Sequence, residues 1–400
     1  MRNLIHEGLT RVEWADGKLT ARPRLAKDWL FTSNGWRIQL REDVKWSDGT
    51  PLDSQHFLDG WEALLAQCRK NAESEGLFFL QNARAICDKK MNFAQIGAKR
   101  VDARTLLIQT AISGNALPYR LAHPALFPIR KRFDGELSPT LGAFKIEAVS
   151  PLTLRLARNP FYVTEPVALS GVELQTVGSS STRIDKFLEA ETDLVDDLPA
   201  ASAAQFAGSP LLKVIPVARS LVLDFNGAAP LPRNLRVALV KAFDPGEVRN
   251  LVRPPLGQPF LLPFDAPFFR PPITNVAGAK KLWLEGPRLE SLRISLENKD
   301  DGEAVEVLEN LRAQWTKNLG ARVEIVSADK AAVRLREITW DIYDIAGGAS
   351  AELKANIAES TVVPLFQRSR YVLRSAKVER LEPLPSGGWD FETGHLQQGE

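Results

Sequence analysis

Arg219 interrupts an otherwise apolar run, Lys213 to Asn226, and a guanidinium in such a place must be paired, desolvated or turned toward a cleft. Turned toward a cleft, it would hold a carboxylate or carbonyl of a ligand. Paired, it would lie on a sheet edge against Asp224 or a neighbour, and the residues alone leave the two readings even. Catalytic chemistry has less to stand on. The four histidines, His6, His56, His123 and His395, show no i, i+4 pairing, and no His or Cys spacing suits zinc. There is no Gly-x-Ser-x-Gly, no phosphate-binding loop and no Gly-x-Gly-x-x-Gly fingerprint. Carboxylates are many but form no recognisable dyad, so we expect a protein that is not an enzyme and that uses neither metal nor cofactor.

Composition narrows the partners. With 400 residues, 44% apolar and 25% charged, the chain has the make-up of an ordinary globular protein large enough for two or three domains. Lys and Arg number 51 against 49 Asp and Glu, a net charge of +2, so no global field draws nucleic acid or an anionic membrane. Gln367 to Arg380 alternates basic and apolar residues but carries only Tyr371 as an aromatic, which reads as an edge strand with its cations in water rather than a nucleic-acid strip. No run approaches the roughly 18 apolar residues of a membrane span, and no apolar segment of a signal peptide follows Arg2. Cys68 and Cys87 could pair, yet two cysteines make no disulfide framework, and we expect unlinked, partly buried thiols.

The elements that must position these residues alternate between strands and helices. Trp36 to Arg41 has the period-two pattern of a half-buried strand, Ser47-Asp48-Gly49-Thr50-Pro51 breaks it as a turn, and a helix capped by Asp53 or Ser54 carries Phe57, Leu58, Trp61, Leu64 and Leu65. Phe144 to Ala148 and Leu152 to Leu156 read as a hairpin. Lys213 to Asn226 reads as two apolar strands broken at Ala218-Arg219-Ser220, and a proline-rich loop, Pro254 to Pro272, follows a helix pair. Glu303 to Leu319 is the most periodic helix, with Val307, Leu308, Leu311 and Trp315 on one face, and Ala321 to Val326 and Trp340 to Ile345 read as strands of the same α/β unit.

The stretch WRIQLREDVKWSDGTPLDSQHFLDGW, Trp36 to Trp61, resembles the extracytoplasmic solute-binding proteins of peptide ABC transporters. Further segments match that family in order: Glu7-Gly8-Leu9 with Leu25 to Trp29, Gly142 to Ile146 with Arg158 to Tyr162, Asp224-Phe225-Asn226 with Leu235 to Leu239, and Val363-Pro364-Leu365. The resemblance implies an α/β, bilobed periplasmic-binding-protein-like fold of type II, in the family-5 arrangement with an extra small α/β domain. Carried onto this chain, the small domain would be 1–139, the main domain of the first lobe 140–222 plus 366–400, and the second lobe 223–365. A peptide or peptide-like ligand would be held between the lobes by hinge closure. It would be passed on to ABC permease subunits by a monomer, with no nucleic acid and no direct membrane insertion involved. By matching position, Arg219, Phe78, Phe79, His123 and Lys330 would contact or line the ligand site, as would Gly347, Gly348 and Ser350, with Asn298, Glu303 and Arg336 nearby. For all of these but Gly347, Gly348 and Ser350 there is a plainer alternative in core packing, loop hydrogen bonding or surface charge.

Two departures stand out. The family's first strand, belonging to the main domain, is not found before Asn3, which implies that Met1 is not the functional start; were it the start, the chain would be cytoplasmic instead of periplasmic or extracytoplasmic. The family's aromatic and its ammonium-binding Asp are replaced by Gly347 and Ser350, and the segment after Ser350 is shortened. We therefore expect weak binding of ordinary peptides and a preference for ligands with an acidic group that Arg219 can pair with. The leading reading is the solute-binding component of an importer; the alternative is a non-transport sensing or interaction module of the same fold.

Overall fold

The computed structural model describes residues 2–396 apart from 16–17, 69–71, 111–115, 131–136, 252–271, 300, 344–350 and 386–387. Most of the proline-rich loop expected at Pro254 to Pro272 lies outside the described residues. The chain divides into two compact units, residues 1–193 with 375–400 and residues 194–345 with 349–374.

The first unit opens with a short helix, α1 (Arg2–Ile5), and an antiparallel hairpin, β1 (Thr10–Ala15) and β2 (Lys18–Pro23). A four-stranded antiparallel sheet follows, β3 (Ala26–Thr32), β4 (Gly35–Leu40), β5 (Ala98–Asp102) and β6 (Thr105–Ile108), in the order β3-β4-β6-β5. The alternation read from Trp36 onward is kept: Ile38 and Leu40 are buried while Arg37 is exposed. Helix α2 (Gln55–Ala66) lays Phe57, Trp61 and Leu65 into this core. Of the two expected caps, only the Asp53 side chain bonds to the start of the helix. Asp53 Oδ1 accepts from the Gln55 N–H at 2.7 Å, whereas the Ser54 hydroxyl donates to the Asp102 carbonyl and ties the helix to β5. Helices α3 (Ala83–Cys87) and α4 (Leu117–Arg120) precede the antiparallel sheet β7 (Phe144–Val149), β8 (Thr153–Arg158) and β9 (Gly171–Gln175), and α5 (Ser180–Leu188) is capped by Ser179.

Cys68 and Cys87 form a disulfide, not the unlinked pair expected. Cys68 lies just past the end of α2 and Cys87 ends α3, which brings their Cα atoms to 5.5 Å, inside the range a disulfide spans. Nothing local in a 19-residue separation announces that packing.

The second unit is built on β10 (Leu194–Leu198), β11 (Leu212–Asp224), β12 (Leu292–Leu296), β13 (Val323–Ile325), β14 (Val333–Thr339) and β15 (Val362–Arg374). They lie side by side as β10-β15-β11-β14-β12-β13, with β12 parallel to β13 and β14 and the remaining pairs antiparallel. Its helices are α6 (Ala200–Ala203), α7 (Arg233–Lys241), α8 (Pro245–Asn250), α9 (Val276–Leu284), α10 (Gly302–Leu319) and α11 (Ala351–Ala358). Helix α10 has the boundaries its periodicity predicts: Asp301 Oδ1 accepts from the Ala304 N–H, and Gly320 ends it at φ +67°, where a side chain would be strained. Val307, Leu308, Leu311 and Trp315 face the core as read.

Three strand readings change. The run expected as two strands is one, β11, whose pairing with β15 shifts between Pro216 and Ser220. The strand expected at Trp340 to Ile345 lies upstream as β14; Ile342 and Tyr343 form a helical turn, both buried, with Asp341 Oδ1 accepting from the Tyr343 N–H. The supposed edge strand at Gln367 to Arg380 is in its first part the interior strand β15, flanked by β10 and β11. Two of its cations are not in water, Arg370 being buried and the Arg368 side chain 11% exposed, whereas Lys377 and Arg380, beyond β15, are exposed as expected. After β15 the chain returns to the first unit in four two-residue strands, β16 (Val378–Glu379), β17 (Glu382–Pro383), β18 (Trp389–Asp390) and β19 (His395–Leu396).

Candidate functional site

Arg219 is paired. Its Nη2 is 3.3 Å from Asp197 Oδ1 and its Nη1 3.4 Å from Glu337 Oε1, and about a third of the side chain remains exposed. Asp197 comes from a bulge in β10, where the register against β15 slips between Val195 and Leu198 and Asp197 takes φ +53°. A bulge of this kind re-aims side chains, and here it turns Asp196 and Asp197 onto two different arginines, Arg370 and Arg219. Glu337 is shared. Its other oxygen lies 3.2 Å from Nε of Arg368, whose remaining nitrogens meet Glu303 at 2.5 Å and Asp301, and whose guanidinium stacks over Phe366 at 5.2 Å. Burial beside these carboxylates raises the Glu303 pKa even though Arg368 pulls it down, and burial lifts the Tyr371 phenol to about 12.

Around Arg219, Arg368 and Arg370, then, stand Asp196, Asp197, Asp301, Glu303 and Glu337, more carboxylates than cations. This network leaves no local signature in the chain, because two of the partners of Arg368, Glu303 and Asp301, lie 65 and 67 residues away. Asp224, the partner first considered for Arg219, is engaged elsewhere. It is wholly buried, and its Oδ2 accepts from Arg334 Nη2 at 2.8 Å and Arg336 Nε at 2.7 Å.

The other candidates fall in separate places. Lys330 is exposed in the turn before β14, whereas Arg219 pairs with Thr339 at that strand's far end. In the first unit, Phe79 is buried in the core and Phe78 is half-buried beneath the Arg84 guanidinium, 4.4 Å from its ring centre. His123 stands near them: its ring packs so closely on Gly76 that a Cβ there would lie 2.1 Å from it, and its Nδ1 accepts from the Ala125 N–H at 3.0 Å. Gly347, Gly348 and Ser350 lie outside the described residues. Arg219 and Lys330 thus belong to one unit, and Phe78, Phe79 and His123 to the other.

The motif residues of the first unit hold its framework. Gly49, at φ +85°, lets the Trp46–Pro51 turn close, with Trp46 N–H donating to Thr50 O and Gly49 N–H to Trp46 O, both at 2.8 Å. Asn159 joins its own motif to the previous one by donating to Gly142 O at 2.9 Å. Glu7 accepts from Arg11 at 2.6 Å and from the Tyr162 hydroxyl at 3.1 Å, while Glu392 bridges Arg11 and Arg24. Burial raises the Glu7 and Tyr162 pKa values, whereas the two arginines outweigh burial at Glu392 and lower it.

Among the described residues no group of side chains could hold a metal ion. Residues 20–353 match the model of the bacterial extracellular solute-binding proteins, family 5 (middle). The chain belongs to this family. Among its curated relatives, the probable deoxycholate-binding periplasmic protein YgiS of Escherichia coli is 28% identical over 375 residues, covering 85% of this chain and 66% of that protein. The oligopeptide-binding protein OppA of Bacillus subtilis is 24% identical, covering 84% of this chain and 66% of that one. The chain therefore spans just under two thirds of these family members. In fold it is similar to the E. coli murein tripeptide binding protein MppA, with a TM-score of 0.71 at 19% identity, over 98% of this chain and 93% of that one. The α/β family-5 fold expected from the motifs is the fold found. No helix among the described residues is long and apolar enough to cross a membrane.

Proposed function

We propose that the chain is the solute-binding component of an ABC importer, taking a peptide or peptide-like solute by closure of its two lobes and presenting it, as a monomer, to permease subunits. The observation that carries this reading is the family match across residues 20–353, joined to relatives named for oligopeptides and a murein peptide. It favours transport over the sensing or interaction module. The Cys68–Cys87 disulfide supports work outside the cytoplasm, since such bonds persist in oxidising compartments. On this reading the protein has no catalytic role and needs no cofactor. Phe78, Phe79, His123 and Lys330 stay candidate contacts, while the charge of Arg219 is already met by two carboxylates. A second reading is an amphipathic acid such as the one in the name of the YgiS relative.

Thermal unfolding with and without added solute separates these readings. A ligand that binds only the folded chain adds about 2.7 kcal/mol at a hundredfold excess over its dissociation constant. The expected outcome is a rise in midpoint with short peptides and none with deoxycholate; the reverse would replace the peptide by a steroid acid.

A further inference from the structure

The strands of the second unit's sheet carry several arginines, and those facing carboxylates are not treated alike. Arg219, Arg368 and Arg370 are surrounded by five carboxylates, whereas Arg334 and Arg336 share one, Asp224. Two residues apart on β14, they lie on the same face of the strand, across from Asp224 and Val222 of β11. Both guanidiniums bond to a single oxygen, Oδ2, while Oδ1 is taken by the Asn226 N–H at 2.9 Å. Asp224 is fully buried and so cannot swing away, which fixes the two forks in place. The arginine side chains themselves are 33% and 32% exposed.

Much of their donor capacity is unused. Among the described residues, Arg336 bonds only through Nε, leaving both Nη groups, and Arg334 bonds only through Nη2, leaving Nη1 and a buried Nε with no hydrogen-bond partner. Among the described residues neither meets a second carboxylate. Two cations over one anion leave a net positive charge held in rigid fork geometry, and an oxyanion fits it: it would accept from the free nitrogens and relieve the repulsion between the guanidiniums.

We propose that Arg334 and Arg336, anchored by Asp224, form an anion seat, and that it receives a carboxylate of the transported solute. The second half rests on the peptide reading above; the seat itself does not. The two are tested apart by following the arginine Nε–Hε resonances of the whole chain by NMR. Titration with sodium sulfate, against sodium chloride at matched ionic strength, should give a saturable shift of the Arg334 and Arg336 signals. Arg336→Lys, which keeps the charge and loses the fork, should weaken it at least about tenfold, a loss of about 1.4 kcal/mol, and Arg322→Gln on the exposed rim should leave it unchanged. No saturation, or saturation untouched by Arg336→Lys, overturns the seat. In the second arm an N-acetylated tripeptide with a free C-terminal carboxylate should displace sulfate and its C-terminal amide should not. Displacement by neither would overturn the assignment to the solute and leave a seat for a small free anion; displacement by both alike would show that the carboxylate is not what is recognised.

Discussion

His56 shows how a residue that looks free for chemistry can be committed to structure. Its Nδ1 accepts from the Trp46 indole N–H at 3.2 Å and the Asp53 backbone N–H at 3.1 Å, so the ring is neutral, with its proton on Nε2. Burial holds its pKa below the ordinary 6.5. Between that lowered value and 6.5 the unfolded chain binds more protons than the folded one, so the contribution of His56 is present above pH 6.5 and is lost as pH falls through the folded value. Denaturant unfolding at about pH 8 and about pH 5 should show a larger loss of stability in the wild type than in His56→Gln. Equal losses would mean that the ring titrates freely. The motif around Trp46 and Asp48 was legible as a motif, but that its histidine serves as its acceptor was not, because a hydrogen bond across a turn leaves no period in the sequence. Arg219 taught the same lesson: its oddity in an apolar run was readable, while its partners, on two other strands, were not.

Elements were most legible where one period runs long. Helix α10 announced its buried face over 18 residues, with an Asp cap before it and a glycine after it. Trp315 is fully buried and donates from its indole N–H to Leu239 O at 2.9 Å. Trp315→Ala should therefore cost the second unit about 3–5 kcal/mol, read from the denaturant midpoint of its unfolding transition. A loss under about 1 kcal/mol would remove α10 from the core. Strands were harder. Trp340-Asp341-Ile342-Tyr343 alternates on paper, yet Ile342 and Tyr343 are both buried in a helical turn, a placement that alternation cannot express. The basic residues of β15 read as an edge because their compensating acids come from α10, β10 and β14, far along the chain. Interior strands with charged residues are legible only once the partners are known, since an unpaired cation there would cost several kcal/mol.

For the whole molecule, the ordered series of motifs carried the fold further than any single element did, and the family match, over residues 20–353, takes in all of those segments but Glu7-Gly8-Leu9 and Val363-Pro364-Leu365. The near-neutral composition offers no global field for nucleic acid and says nothing of the ligand. The solute is the central claim, and native mass spectrometry of the full chain tests it most directly. The protein would be incubated with a mixture of short peptides, some with free carboxylates and some amidated without acidic side chains, and freed of unbound material. The account predicts one-to-one complexes whose added masses are those of peptides carrying a carboxylate. Bare protein from that mixture, with a stoichiometric complex formed instead by deoxycholate or by nickel, the ligands in the names of two relatives, would contradict it.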